Sequence, residues 1–206
     1  MKDLLSDIRR EDFPDVARKL MNHYCVLKKD SRCDSDLFFR FAEIEFYLYD
    51  ASEQNVDVKT YSRDCLCGEW FFHSSGVDIA FETVRDGDEL IRFGGILIRG
   101  VEVYRQDADG QWVQIGVIGG PKLAMYEMFN HALALPKIVA LPDGFKKDRA
   151  VSEPTRRVGI NDKLPQRFVL ADVDWNMPTE RVVEVKDGDV YRVKVAKVKR
   201  PYNPKY

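Results

Sequence analysis

Ala42-Glu43-Ile44-Glu45-Phe46-Tyr47-Leu48-Tyr49 alternates strictly between two kinds of side chain. At the two-residue period of a strand, Ala42, Ile44, Phe46 and Leu48 share one face, and Glu43, Glu45, Tyr47 and Tyr49 share the other. The apolar face needs a core to pack on. The second face sets two carboxylates beside two phenols, which is not a plain surface pattern. Two readings are open: a strand at the rim of a sheet with that face in water, or a partly dry pocket in which burial tunes a carboxylate to act as a base.

On either side of this stretch the chain is rich in strand patterns. Residues 24–27 and 38–49 read as strands, and residues 68–73 and 77–84 read as a hairpin around Ser74-Ser75-Gly76. Asp86-Gly87, Asp109-Gly110 and Asp187-Gly188 each separate alternating segments, a strong hairpin signal. Residues 94–101 form a nearly continuous apolar run, typical of a sheet centre. Helical patterns are few. Residues 3–10 can form a short helix, and Val16, Ala17, Leu20 and Met21 follow a helical period after Phe13-Pro14-Asp15. Pro121 suits the first position of a helix over residues 122–133, which Pro136 would end. Residues 143–166 read as loop, and residues 181–199 as a final hairpin followed by a basic tail. The order of elements is not a regular βαβ alternation, and no repeat or linker interrupts it. A single α+β domain over residues 1–206, built on a curved, mostly antiparallel sheet, is therefore expected.

The composition sets bounds on function. With 206 residues, 45% hydrophobic and 32% charged, the chain can bury a substantial core. A formal net charge of −2 gives no global electrostatic pull toward nucleic acid, so any basic patch must be local. No apolar run reaches membrane-spanning length, and Met1-Lys2-Asp3-Leu4-Leu5 lacks a secretory apolar segment. A cytoplasmic monomer without membrane contact is expected. Of the four cysteines (Cys25, Cys33, Cys65, Cys67), only Cys65-Leu66-Cys67 is closely spaced, with no second pair or histidine nearby. Reduced structural cysteines, no metal site and no organic cofactor are expected.

Arg99 follows Ile96-Leu97-Ile98 in the apolar run. A buried guanidinium cannot lose its charge, so it needs an anionic partner, and Glu43 or Glu45 would serve. A structural ion pair and a role in a site are equally open. Trp70-Phe71-Phe72-His73 places Trp70 and Phe72 on one face of a strand and Phe71 and His73 on the other. These rings can fill a core or stack on a planar ligand. His73 beside Ser74 and Ser75 has no third catalytic group placed by the sequence.

At this point the motifs acquire a family likeness. Ala42-Glu43-Ile44-Glu45-Phe46-Tyr47 resembles the E-T-E-A-Y strand of the alkyladenine (3-methyladenine) DNA glycosylase family. Further landmarks follow in the family's order over about residues 13–172. Residues 16–21 are similar to the helix before that strand, and residues 68–82 to its aromatic hairpin. Ile96-Leu97-Ile98-Arg99 resembles V-L-L-R-A, and Gly120-Pro121-Lys122-Leu123 resembles G-P-x-x-L. Arg157-Val158-Gly159-Ile160 with Pro165-Gln166-Arg167-Phe168 is similar to R-I-G-I…P-x-R-F.

The resemblance implies hydrolysis of an N-glycosidic bond that releases a modified purine. Glu45 would be the general base that activates water, and Arg99 the arginine of the active-site strand. Tyr47 and Phe72 would sandwich the extruded base. Three positions depart from the family pattern. The intercalating tyrosine falls on Ser75, the asparagine that screens the base falls near Glu82, and the loop histidine has no counterpart between residues 50 and 63, where Asp57 and Tyr61 lie. The implied partner is nucleic acid, DNA in single-stranded form included, or a nucleoside. Lys146, Lys147, Arg156, Arg157, Lys194, Lys197, Lys199 and Arg200 are the available phosphate contacts. The alternative is a non-catalytic nucleobase- or nucleic-acid-binding module of the same fold.

Overall fold

In the computed structural model, residues 2–32, 36–161, 164–188 and 190–198 are described. In chain order, α1 (Lys2–Leu5) and a 3-10 turn (Arg10–Asp12) lead to α2 (Phe13–His23), then β1 (Tyr24–Lys29) and β2 (Asp36–Asp50). The hairpin β3 (Trp70–His73) and β4 (Gly76–Ala80) is followed by β5 (Val84–Asp86), β6 (Glu89–Gln106) and β7 (Trp112–Gly119). After α3 (Pro121–Phe129) come β8 (Lys137–Ala140), β9 (Thr155–Arg156), β10 (Pro165–Val169) and the closing hairpin β11 (Thr179–Asp187) and β12 (Val190–Val198). Among the described residues every strand pair is antiparallel; the main sheet runs β3-β4-β6-β2-β1-β8, with β10 also on β2, and β5 and β7 also on β6. The chain is thus one α+β domain with a mostly antiparallel open sheet and few helices. No helix among the described residues is long and apolar enough to cross a membrane.

The long β2–β6 ribbon sets the architecture. It pairs from Leu37↔Arg105 to Asp50↔Arg92. Midway, the register steps from Phe41↔Val101 to Glu43↔Gly100 and then to Ile44↔Ile98. Ala42 on one strand and Arg99 on the other are therefore extra residues, two bulges facing each other. A bulge shifts which side of the sheet each later residue meets. Phe39 and Phe41 before the bulge and Ile44, Phe46 and Leu48 after it consequently belong to one core, with Ile96, Ile98, Val101 and Val103 from β6. The same shift keeps Arg40, Glu43, Glu45 and Tyr47 together on the other face.

The core is closed by α2. Phe13, Val16, Ala17, Leu20 and Met21 recur at helical spacing and are buried. Phe13 stacks on Phe46 at 4.3 Å between ring centroids, and Phe168 meets the same ring edge-on at 5.4 Å. Each such buried ring contributes about 1.5–3 kcal/mol. The helix ends where Tyr24-Cys25-Val26-Leu27 takes up an extended backbone as β1.

Several expectations need correction. The first helix stops at Leu5, because Asp7 takes a left-handed backbone with φ 50°. The helix after Pro121 stops at Phe129: Asn130 is extended, His131 has φ 58°, and Leu133 is exposed. The region expected as loop contains β9 and, more consequentially, the start of β10, whose Arg167 lies opposite Glu45 and whose Val169 lies opposite Glu43. A proline at the first strand position needs no ladder N–H, which lets Pro165 lead a strand that looks like loop in sequence. Of the residues discussed above, Met1, Cys33, Lys199 and Arg200 lie outside the described residues.

Candidate functional site

On the polar face of β2, Glu43 and Glu45 are both fully buried. The bulge turns Arg99 toward them. Glu43 Oε1 accepts hydrogen bonds from Arg99 Nε at 2.9 Å and Arg167 Nε at 2.7 Å. Glu45 Oε2 accepts from the Tyr47 hydroxyl at 2.9 Å and from Arg99 Nη1 at 3.3 Å, and its Oε1 accepts from the Val158 backbone N–H at 2.7 Å. Behind Tyr47, Arg157 is clamped by Asp57 at 2.6 and 3.1 Å and lies over the Tyr47 ring at 4.5 Å.

Burial pushes the Glu45 carboxyl above the usual range; Arg99, the Val158 N–H and the Tyr47 hydroxyl pull the other way, and the neighbouring Glu43 charge adds to the rise. Burial followed by the Glu45 charge likewise pushes the Tyr47 phenol up. Tyr47 is thus a neutral donor that holds Glu45, not a phenolate.

A cavity of 440 Å³ opens on the other side of these groups. Tyr47, Arg99 and Val158 line it, so three of the groups that hold Glu45 form its wall, while Glu45 stands directly behind them. The loop carrying Val58, Lys59, Thr60 and Tyr61 borders one side. Thr60 Oγ1 is buried there without a hydrogen-bond partner among the described residues. Another side is a hydrogen-bonded set: Arg63 Nη1 meets Asp78 Oδ2 at 2.6 Å, Asp78 Oδ1 meets His73 Nε2 at 2.9 Å, and the Ser75 N–H donates to His73 Nδ1 at 3.3 Å. The Ser75 bond assigns the proton of a neutral His73 to Nε2, where it points at Asp78. Both ring nitrogens are engaged, so His73 has none left to activate a serine. Tyr61 leans on His73 with 5.0 Å between ring centroids.

The cavity therefore gathers Tyr47, Arg99 and Ser75 from the expected set, with Glu45 behind its wall. Phe72 lies elsewhere. Alternation along β3 sends Phe71 and His73 toward the Arg63 side and Phe72 toward α3, where it is half exposed and meets Phe129 edge-on at 4.8 Å. The ring facing the cavity in that hairpin is His73, supported by Tyr61. Glu82 is also outside the cavity; it is exposed and accepts the Cys67 N–H at 2.8 Å. Asp57, Arg63 and Asp78 carry no motif of their own and join the site only through folding. Arg157 and Val158 stand in the Arg157-Val158-Gly159-Ile160 stretch, which was the available signal. Among the described residues no cluster of His, Cys, Asp and Glu is arranged to hold a metal ion.

No family model and no curated protein matches this chain in sequence comparison.

Proposed function

We propose that the cavity beside Tyr47 receives a nucleobase, presented by a nucleoside or by single-stranded nucleic acid, and that the protein is a base-binding module with an alkyladenine-glycosylase-like plan. The observation that carries this reading is the cavity itself: rings of Tyr47, Tyr61 and His73 border a 440 Å³ space whose wall also offers Thr60 Oγ1 and the Arg99 guanidinium. Planar heterocycles need ring faces for stacking and a few polar groups for their edges. Glu45, held from three sides, then serves to fix Tyr47 and Arg99 rather than to meet the ligand. Arg157 already occupies one face of Tyr47. A cationic base gains less from such a ring than from a bare one, so neutral purines are included among the ligands.

A second reading, N-glycosidic hydrolysis, is favoured by the raised pKa of Glu45 and by its place directly behind the cavity wall. If the Tyr47 hydroxyl turns away, Glu45 Oε2 can take a proton from a water. The oxygen of that water bonds to the anomeric carbon as the carbon–nitrogen bond breaks, and the base leaves with the bonding electron pair. A purine already alkylated on nitrogen leaves as a neutral molecule and needs no acid. The ionised carboxylate also stabilises the cationic sugar of the transition state.

Equilibrium binding and base release are measured together on free nucleosides and on single strands carrying normal and alkylated purines. Under the binding reading, wild type and Glu45→Gln bind alike, and neither releases base. Tyr47→Ala weakens binding roughly 5- to 150-fold, the worth of one stacked base. Base release by wild type that Glu45→Gln abolishes establishes the second reading. Wild type that neither binds nor releases any of these bases refutes both.

A further inference from the structure

A second polar cleft lies farther along the same ribbon, in the direction away from Tyr47. Arg40 sits opposite Glu102 in the β2–β6 register, and the segment 144–149 comes across to meet them. Arg149 Nη1 pairs with Glu102 Oε2 at 2.6 Å, its Nη2 donates to the Ala171 carbonyl, and the Tyr104 hydroxyl donates to the same Glu102 oxygen at 3.2 Å. Arg40 is 1% exposed, and its three bonds go to neutral oxygens: Met21 O at 3.1 Å, Lys146 O at 2.7 Å and Asn22 Oδ1 at 2.8 Å.

The charges here do not balance. Two guanidinium groups, each more than nine-tenths buried, share one carboxylate. Burial pushes the nearby Cys25 thiol up to about 12, against the pull of Arg40, so it supplies no anion at neutral pH. Burial, and then the Glu102 charge, holds the Tyr104 phenol neutral as well. Lys146 and Asp172, both exposed, offset one another at the rim. Arginine cannot discard its proton, and a buried cation without a counter-charge is costly. The cleft is open, with a volume of 310 Å³, and Arg40, Arg149 and Glu102 all line it. Its side is a cluster of rings: Trp112 against Phe38 at 4.5 Å, Tyr104 against Phe145 at 4.6 Å. Such walls lower the local dielectric and lengthen the reach of the positive charge.

We propose that this cleft is a phosphate-binding site, in which Arg40 and Arg149 supply the charge and the remaining guanidinium N–H groups supply the donors. Glu102 aligns Arg149 and keeps the free protein from carrying two unbalanced cations. The site is independent of the base-binding reading, since none of its residues lines the Tyr47 cavity. The phosphate has two sources, the free anion or the 5′-phosphate of a nucleotide.

The test is an amide-resolved NMR titration of the full chain with inorganic phosphate and with deoxyadenosine 5′-monophosphate, at constant ionic strength set by sodium chloride. Saturable shifts at the amides of residues 144–149 and around Arg40 are expected. Tighter binding of the nucleotide assigns the nucleotide source; equal binding assigns the free anion. Arg40→Gln should weaken phosphate at least tenfold. Glu102→Gln, which removes the competing carboxylate, should bind at least as tightly as wild type. Lys146→Glu, which sets a negative charge at the exposed rim without touching the buried groups, should also weaken phosphate, and it decides the matter even where the buried-site variants fail to fold. Shifts that track ionic strength alone, saturation only at the Tyr47 cavity, or a Glu102→Gln variant that binds more weakly would overturn the proposal.

Discussion

Glu45 and Asp30 are both closed off from solvent and both accept three or more hydrogen bonds, yet their carboxyl groups are pushed in opposite directions. Burial raises both. At Asp30 it is outweighed by two cations for one carboxylate: Lys28 Nζ at 2.9 Å, and Arg32, which binds with its side chain at 3.0 and 2.8 Å and with its backbone N–H at 2.9 Å. At Glu45 burial wins, because Arg99 is shared with Glu43 and the other two donors are neutral. Glu45 has both the deeper setting and the smaller share of cations, and the two together make it a group able to take up a proton where Asp30 is a clamp.

Neutralising each acid without changing its shape is the most severe test of that contrast. Asp30→Asn leaves the 2%-exposed Lys28 side chain without a counter-charge beside Arg32. A loss of about 3 kcal/mol in urea denaturation at pH 7 is expected. A loss under about 1 kcal/mol would break the comparison at its structural end. On the cavity side the largest cost should fall on the wall rather than on the acid. Gly95 lies opposite Tyr47, and a Cβ there would come within 2.8 Å of Arg63 Nη1 and 2.8 Å of the Ile79 carbonyl. Gly95→Ala should therefore cost about 2 kcal/mol by overpacking and displace Arg63 from Asp78, visible as a shift in the His73 ring resonances. Glu45→Gln should cost only about 1 kcal/mol, since the amide retains an oxygen for Tyr47 and Arg99 and loses chiefly the bond from Val158.

Much of this was written into the chain locally. The 42–49 alternation marks the strand on which the site is built, and Asp-Gly pairs mark turns where Gly87, Gly110 and Gly188 take φ values of 58°, 76° and 63°. The opposed bulges were not visible: nothing about Ala42 or Arg99 distinguishes an extra residue from a paired one, yet they carry Arg40 onto the same face as Glu45. Phe72 shows a second blind spot. Alternation tells which rings of Trp70–His73 share a face, but only the position of α3 tells which face meets the cavity. The Asp57–Arg157 clamp joins residues 100 apart. Such pairs are set by global topology, which local propensity does not encode.

The smallest expected effect is also the one that separates the two acids most cleanly, because it has opposite signs at the two sites. Asp30 ionises near 3.8 in the unfolded chain and below that in the folded protein. Between those values the unfolded state binds more protons, so the contribution of Asp30 is complete above pH 3.8 and is lost as pH falls through the depressed folded value. The stability gap between wild type and Asp30→Asn should narrow as pH falls below 3.8. Glu45 ionises near 4.5 when unfolded and higher when folded. Over that window the folded state binds more protons, so wild type loses stability relative to Glu45→Gln as pH rises through the raised folded value. Thermal midpoints of the three proteins from pH 3 to pH 8 measure both slopes. Parallel slopes would mean that Glu45 is as firmly ionised as Asp30, which would remove the basis for proton uptake at the cavity while leaving base binding intact.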